Sequence, residues 1–129
     1  MKNNAAFLLI EDNLIDQLIT TKLLKNIFDD FQFNIVGDGK EGIEWLLQFN
    51  YNNNPLIILL DIKMPQMDGF EFLLHYDKLP EELKNKTQIF MLSSSLDPND
   101  LKRANENCYV KKLFNKPLSL NDFKEMINT

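Results

Sequence analysis

Five consecutive aliphatic residues, Leu56 to Leu60, run directly into an acid, Asp61. A run of that kind predicts a strand buried on both faces, as in a parallel sheet. The carboxylate must then sit where the strand leaves the core, because an unpaired buried charge is costly. The same order recurs along the chain. Phe7 to Ile10 lead into Glu11 and Asp12, Ile89 to Leu92 lead into Ser93, and a short strand around Val110 leads to Lys116 and Pro117. If these are parallel strands of one sheet, three acids, a hydroxyl and an amine converge at one rim. In an open α/β sheet the carboxyl-end rim is where ligands bind.

Between these runs lie helix-like segments at short spacing, the pattern of βα units. Strands are predicted near 6–11, 32–37, 56–60, 87–92 and 109–113, and helices near 14–28, 39–50, 69–79, 98–107 and 119–128. In the first helix, Ile15, Leu18, Ile19, Leu23 and Ile27 recur at helical spacing, which predicts a core-facing stripe with Asp16, Gln17, Lys22 and Lys25 outside. Asp97 and Pro98 are a helix start signal, and Ser119 with Asp122 resembles a capping box. The Asn-rich stretch from Tyr51 to Pro55 reads as a loop. Crossovers of this length place helices on both faces of the sheet. The prediction is one doubly wound (βα)5 domain over residues 1–129.

Composition narrows the classes of function. At 129 residues the chain is long enough for one real core. A net charge of −5 and a pI near 4.8 argue against sequence-independent nucleic-acid binding, so no direct nucleic-acid contact is expected. There is no apolar stretch of membrane-spanning length, and the first strand begins too early for a signal peptide. The single Cys108 cannot form an internal disulfide and reads as a packing residue. A cytoplasmic protein without membrane insertion is expected.

The rim residues make a chemical set. Glu11, Asp12 and Asp61 supply clustered oxygens that repel one another unless neutralised, and carboxylate ligation suits Mg²⁺. With one Cys and one His, a thiol or imidazole site is excluded by supply. The Ser93 hydroxyl and the Lys116 amine are natural partners of phosphoryl oxygens. Asp61 is then either a metal ligand only or the nucleophile that takes the phosphoryl group.

Four motifs in order, Leu-Leu-Ile-Glu11-Asp12-Asn, Leu-Leu-Asp61-Ile-Lys63-Met-Pro65-Gln-Met-Asp-Gly69, Met-Leu-Ser93-Ser94-Ser95 and Asn-Lys116-Pro117-Leu, resemble the receiver domain of response regulators in two-component signalling. The resemblance covers about residues 6 to 127. It implies a flavodoxin-like five-stranded parallel sheet of order 2-1-3-4-5. It also implies transfer of a phosphoryl group to Asp61 from a histidine kinase or phosphotransfer protein. Glu11, Asp12, Asp61 and the backbone carbonyl of Lys63 would hold Mg²⁺, and Ser93 and Lys116 would contact the acyl phosphate. A cis Lys116–Pro117 peptide is implied as well. Pro65 stiffens the turn after Asp61, and Gly69 permits a backbone geometry that a β-carbon would oppose.

This chain also departs from that family. Serine replaces the usual switch threonine at position 93. Leu113 stands where the family often has an aromatic residue, and Phe114 follows it; either the aromatic coupling is absent or Phe114 takes it over, although strand alternation aims Phe114 at the opposite face. The stretch from Lys78 to Lys86 is slightly longer than the family's usual connection.

Three rival readings fit these residues less well than a phosphoacceptor. A haloacid-dehalogenase-like phosphotransferase usually has a second acid two residues after the nucleophile, where this chain has Lys63, and needs a larger core. A flavin or nucleotide module needs a Gly-rich loop after the first strand, where this chain has Glu11-Asp12-Asn13. An unphosphorylated pseudo-receiver usually loses an acid or the lysine. The expectation is a stand-alone receiver, a monomer or weak dimer without separate substrate turnover. Its signal would pass through protein contacts of the face made by the fourth predicted helix, the fifth strand and the fifth helix, to a downstream protein partner.

Overall fold

In a computed structural model that describes residues 5–28, 32–49 and 55–127, the strands are β1 (Ala6–Ile10), β2 (Gln32–Val36), β3 (Leu56–Asp61), β4 (Thr87–Ser93) and β5 (Val110–Asn115). They form one parallel sheet of order β2-β1-β3-β4-β5. The helices are α1 (Leu14–Lys25), α2 (Gly39–Gln48), α3 (Gly69–Tyr76), α4 (Glu81–Asn85), α5 (Pro98–Glu106) and α6 (Leu120–Ile127). This is the flavodoxin-like (βα)5 architecture that the sequence predicts, with one added element. Positions 51–54 of the Asn-rich loop lie outside the described residues.

The sheet separates two cores, and strand alternation sorts residues between them. Leu8, Ile10, Ile58, Leu60, Ile89 and Met91 pack with the residues of α2 to α5. Phe7, Leu9, Leu59, Phe90 and Leu92 pack on the other face with Leu24 and Phe28 of the first helical segment and Phe123 of α6. The second core is rich in rings: Phe123 meets Phe90 edge-on at 5.2 Å and Phe114 at 6.1 Å. Every residue of β1 and β3 is buried, as expected of interior strands covered on both faces.

Two predictions need correction, and one element is new. Of the predicted stripe, Leu23 and Ile27 pack against the second core, but Ile15, Leu18 and Ile19 do not: these side chains are 69%, 58% and 42% exposed, whereas Thr20 and Leu24 are buried. The inward stripe of α1 is instead Asp16, Thr20, Leu24, a clean four-residue repeat whose first member is an acid. Cys108 is exposed rather than packed. The long stretch from Lys78 to Lys86 contains α4, which buries Leu83 and is tied by Lys84 to Asp77, at the end of α3, and to Tyr109, just before β5. Lys84 donates to the Asp77 carbonyl at 2.6 Å, and the Tyr109 hydroxyl donates to the Asp77 carboxylate.

Because all five strands are parallel, their carboxyl ends lie on one rim. A register shift at Ile89/Phe90 leaves Lys111 as an extra residue in β5, after which Ser93 pairs with Asn115. The Lys116 N–H then donates to the Ser93 carbonyl at 2.8 Å. That added step delivers the lysine to the same edge as Asp61 and Ser93.

Candidate functional site

Each rim residue arrives by a different strand end. Glu11 and Asp12 follow β1, and the Glu11 N–H donates to Val36 at 3.1 Å, which fixes the turn. Asp61 is the last residue of β3 and is 5% exposed. Ser93 ends β4, and Lys116 follows β5 across a cis peptide to Pro117. Together with Asn13, Asp16, Lys63 and Ser94 they line an open cleft of about 210 Å³.

Lys116 is the hub of the cleft. Its Nζ lies 2.7 Å from Glu11 Oε1, 2.9 Å from Asp16 Oδ2 and 3.2 Å from Asp61 Oδ1. Burial opposes the ammonium's charge. The bonds to Glu11 and Asp16 and the charge of Asp61 outweigh it and hold the amine above the ordinary lysine range. The acids feel the reverse. Burial pushes Glu11 up to about 7 despite its lysine partner, and burial raises Asp61 as well.

Sequence reasoning missed Asp16, placing it on the outer face of α1. The signal lay in its spacing: one helical turn beyond Asp12 and three residues past the N-cap, a helical residue still stands at the rim. Asn13 caps α1 by accepting from the Asp16 N–H at 3.0 Å, and Gln17 Nε2 donates to the Glu11 carbonyl at 2.7 Å. These bonds lock the start of α1 to the acid turn.

The loop after Asp61 is tight. The Met67 N–H donates to the Pro65 carbonyl at 2.7 Å across Gln66, whose φ is +69°, giving a γ-turn with its central residue at positive φ. Asp68 then caps α3 in a reciprocal capping box with Glu71. Gly69 is required for space rather than for its dihedral angles, since a β-carbon there would lie 2.7 Å from the Asp61 carbonyl oxygen.

The Ser93 hydroxyl donates to the Ser95 carbonyl and accepts from the Ser95 N–H at 3.2 Å, so its hydrogen bonds stay within its own loop. Leu113 belongs to the core beneath α2 to α5, and Phe114 to the opposite one, 5.8 Å from Phe90. Phe114 therefore does not occupy the side of the sheet that Leu113 faces. His75 is exposed on α3, away from the cleft-lining residues.

The residues present fit a hard cation. Carboxylate oxygens of Glu11, Asp12 and Asp61 lie within 4.8 Å of one another. Glu11 Oε1 is fully buried and, among the described residues, meets only the Lys116 ammonium, at 2.7 Å. An all-oxygen set carrying excess negative charge is the donor chemistry of Mg²⁺ or Mn²⁺.

Residues 7–128 match the family model of the response regulator receiver domain. The chain is 32% identical over 111 residues to the response regulator Rcp1 of Synechocystis sp., covering 81% of this chain and 74% of that protein. A response regulator receiver protein from Dyadobacter fermentans superposes with a TM-score of 0.88 at 28% identity, covering 96% of this chain and 95% of that one. The Mn²⁺-bound form of Rcp1 superposes at 0.70 with 30% identity, over 95% and 89% of the two chains. Sequence and backbone agree over nearly the whole length, and the chain belongs to the response regulator receiver family.

Proposed function

We propose that the chain is a phosphoacceptor receiver that takes a phosphoryl group on Asp61 from a histidine kinase or phosphotransfer protein, in a Mg²⁺-dependent reaction. A carboxylate oxygen of Asp61 attacks the phosphorus of a phosphohistidine. The O–P bond forms as the P–N bond breaks, and the imidazole leaves with that electron pair. Glu11, Asp12, Asp61 and the backbone carbonyl of Lys63 would hold Mg²⁺, which would supply positive charge to the phosphoryl oxygens. Lys116 is already 3.2 Å from the acceptor and gives a second positive charge. Ser93 reaches a phosphoryl oxygen by turning its hydroxyl out of the Ser95 loop.

The observation that carries this reading is the pairing of a nearly buried Asp61 with Lys116 beside an acidic cluster. A structural ion pair would need one carboxylate, not three. The exposed Leu14, Ile15 and Leu18 follow the cleft-lining Asn13 and give a donor protein apolar surface to bury. Phosphorylation adds charge and acceptor oxygens that Ser93 and Lys116 answer. The response then spreads along β4 and β5 to the face of α5, β5 and α6, which meets a downstream protein.

Incubation with acetyl phosphate and Mg²⁺, read by intact mass, tests the reading. The wild-type chain gains one phosphoryl mass, and Asp61→Asn does not. Equal labelling of Asp61→Asn would move the site elsewhere. Absence of labelling in the wild type under conditions that label other receivers would leave an unphosphorylated interaction module.

A further inference from the structure

Lys116 has three N–H donors and three carboxylates around it. The bond to Asp16 Oδ2 at 2.9 Å is a well-formed hydrogen bond joining residues 100 positions apart. A phosphoryl oxygen that is to be held by this ammonium must take over one of those donors. Glu11 is poorly suited to release it, being wholly buried with no other donor for Oε1. Asp61 is the point of attachment and stays beside the amine. Asp16 differs from both: its side chain is 31% exposed, so water can solvate the carboxylate once the amine leaves.

We infer that Asp16 is a positioning residue that latches Lys116 in the unphosphorylated state, so that phosphoryl capture requires breaking the Asp16–Lys116 bond. The inference rests on the phosphoacceptor reading of Asp61 and adds a brake to it. Two effects act in the same direction. The latch occupies a donor that the phosphoryl group needs, and the Asp16 charge repels an incoming anion. The same charge favours a divalent cation in the cleft. Asp16 therefore biases the empty site toward metal and against phosphoryl oxygens. Its side chain is not part of the α1 cap, which runs from the Asp16 backbone N–H to Asn13, so its carboxylate can be altered without removing the cap.

The test compares wild type with Asp16→Asn and Asp16→Ala in two titrations followed by amide NMR shifts around the cleft. One uses Mg²⁺ alone, and the other uses the phosphoryl mimic beryllofluoride at saturating Mg²⁺. Both variants should bind the mimic about three- to tenfold more tightly and Mg²⁺ alone about twofold more weakly. A role confined to stability would move both affinities together or neither, so opposite shifts identify the latch. Unchanged or weaker binding of the mimic in the variants, with wild type binding it, overturns the inference and leaves the phosphoacceptor reading intact. Failure of wild type to bind the mimic with Mg²⁺ overturns both.

Discussion

A β-carbon at Gly69 would stand 2.7 Å from the Asp61 carbonyl oxygen, 2.8 Å from Met91 Cε and 3.1 Å from Ile62 Cα. Two of those neighbours are backbone, at the last residue of β3 and the residue after it, and the Gly69 N–H already bonds the Ile62 carbonyl at 2.7 Å. The side chain of Met91 can yield, but the strand cannot without moving Asp61. Gly69→Ala should therefore lower stability by about 2 kcal/mol in chemical denaturation. It should also slow acetyl phosphate labelling by more than the stability loss explains. A variant as stable as wild type that labels at the same rate would show that α3 can shift away freely. Glycine at this position was legible in the sequence as a backbone requirement. The reason for it was not, because close approach between Gly69 and β3 is a tertiary fact, whereas the one strained dihedral in the loop belongs to Gln66.

At the scale of elements, legibility followed the number of faces an element buries. The interior strands are apolar on both sides, so runs such as Leu56–Leu60 announced themselves and their ends marked the rim. Helix α1 was found but turned about its axis. It covers the sheet with the narrow stripe of Thr20 and Leu24, and the first half of its wider apolar stripe, Ile15, Leu18 and Ile19, is left to solvent, so periodicity pointed the wrong way there and hid Asp16. Helix α4 has five residues, too few for any period to show. In β5, alternation resolved what the family pattern left open: Leu113 and Phe114 serve different cores. That separation predicts different outcomes at adjacent positions. Phe114→Ala empties a ring cluster with Phe90 and Phe123 and should cost about 3 kcal/mol or more in stability. Leu113→Tyr, on the side of α5, should change binding of a downstream partner more than Mg²⁺ affinity. Isothermal titration with Mg²⁺ and with a partner checks this. A Leu113→Tyr effect on Mg²⁺ as large as on the partner would remove Leu113 from the signalling face.

For the molecule as a whole, the parallel topology concentrates Glu11, Asp16 and Asp61 around the Lys116 ammonium, with Asp12 beside Glu11 and Asp61, and this excess of acids links folding to pH. Burial raises Glu11 from 4.5 to about 7, with Asp61 shifted in the same direction. Between those two values for Glu11 the folded chain keeps a proton that the unfolded chain has released. Stability from this group is therefore fully present below the unfolded value and is lost as pH rises through about 7. In the proposed Mg²⁺ site the sign reverses for the metal: only ionised carboxylates bind it, so binding releases the proton and strengthens as pH rises. Thermal unfolding with and without Mg²⁺, at about pH 5 and about pH 8, should show two opposed trends. Without metal, wild type should lose stability over this range relative to Glu11→Gln, which has no carboxyl to ionise. With metal, the gain in melting temperature should be larger at the higher pH, and Glu11→Gln should blunt that gain. If wild type and Glu11→Gln follow the same metal-free pH profile, the buried carboxyl of Glu11 is not what couples this cleft to folding.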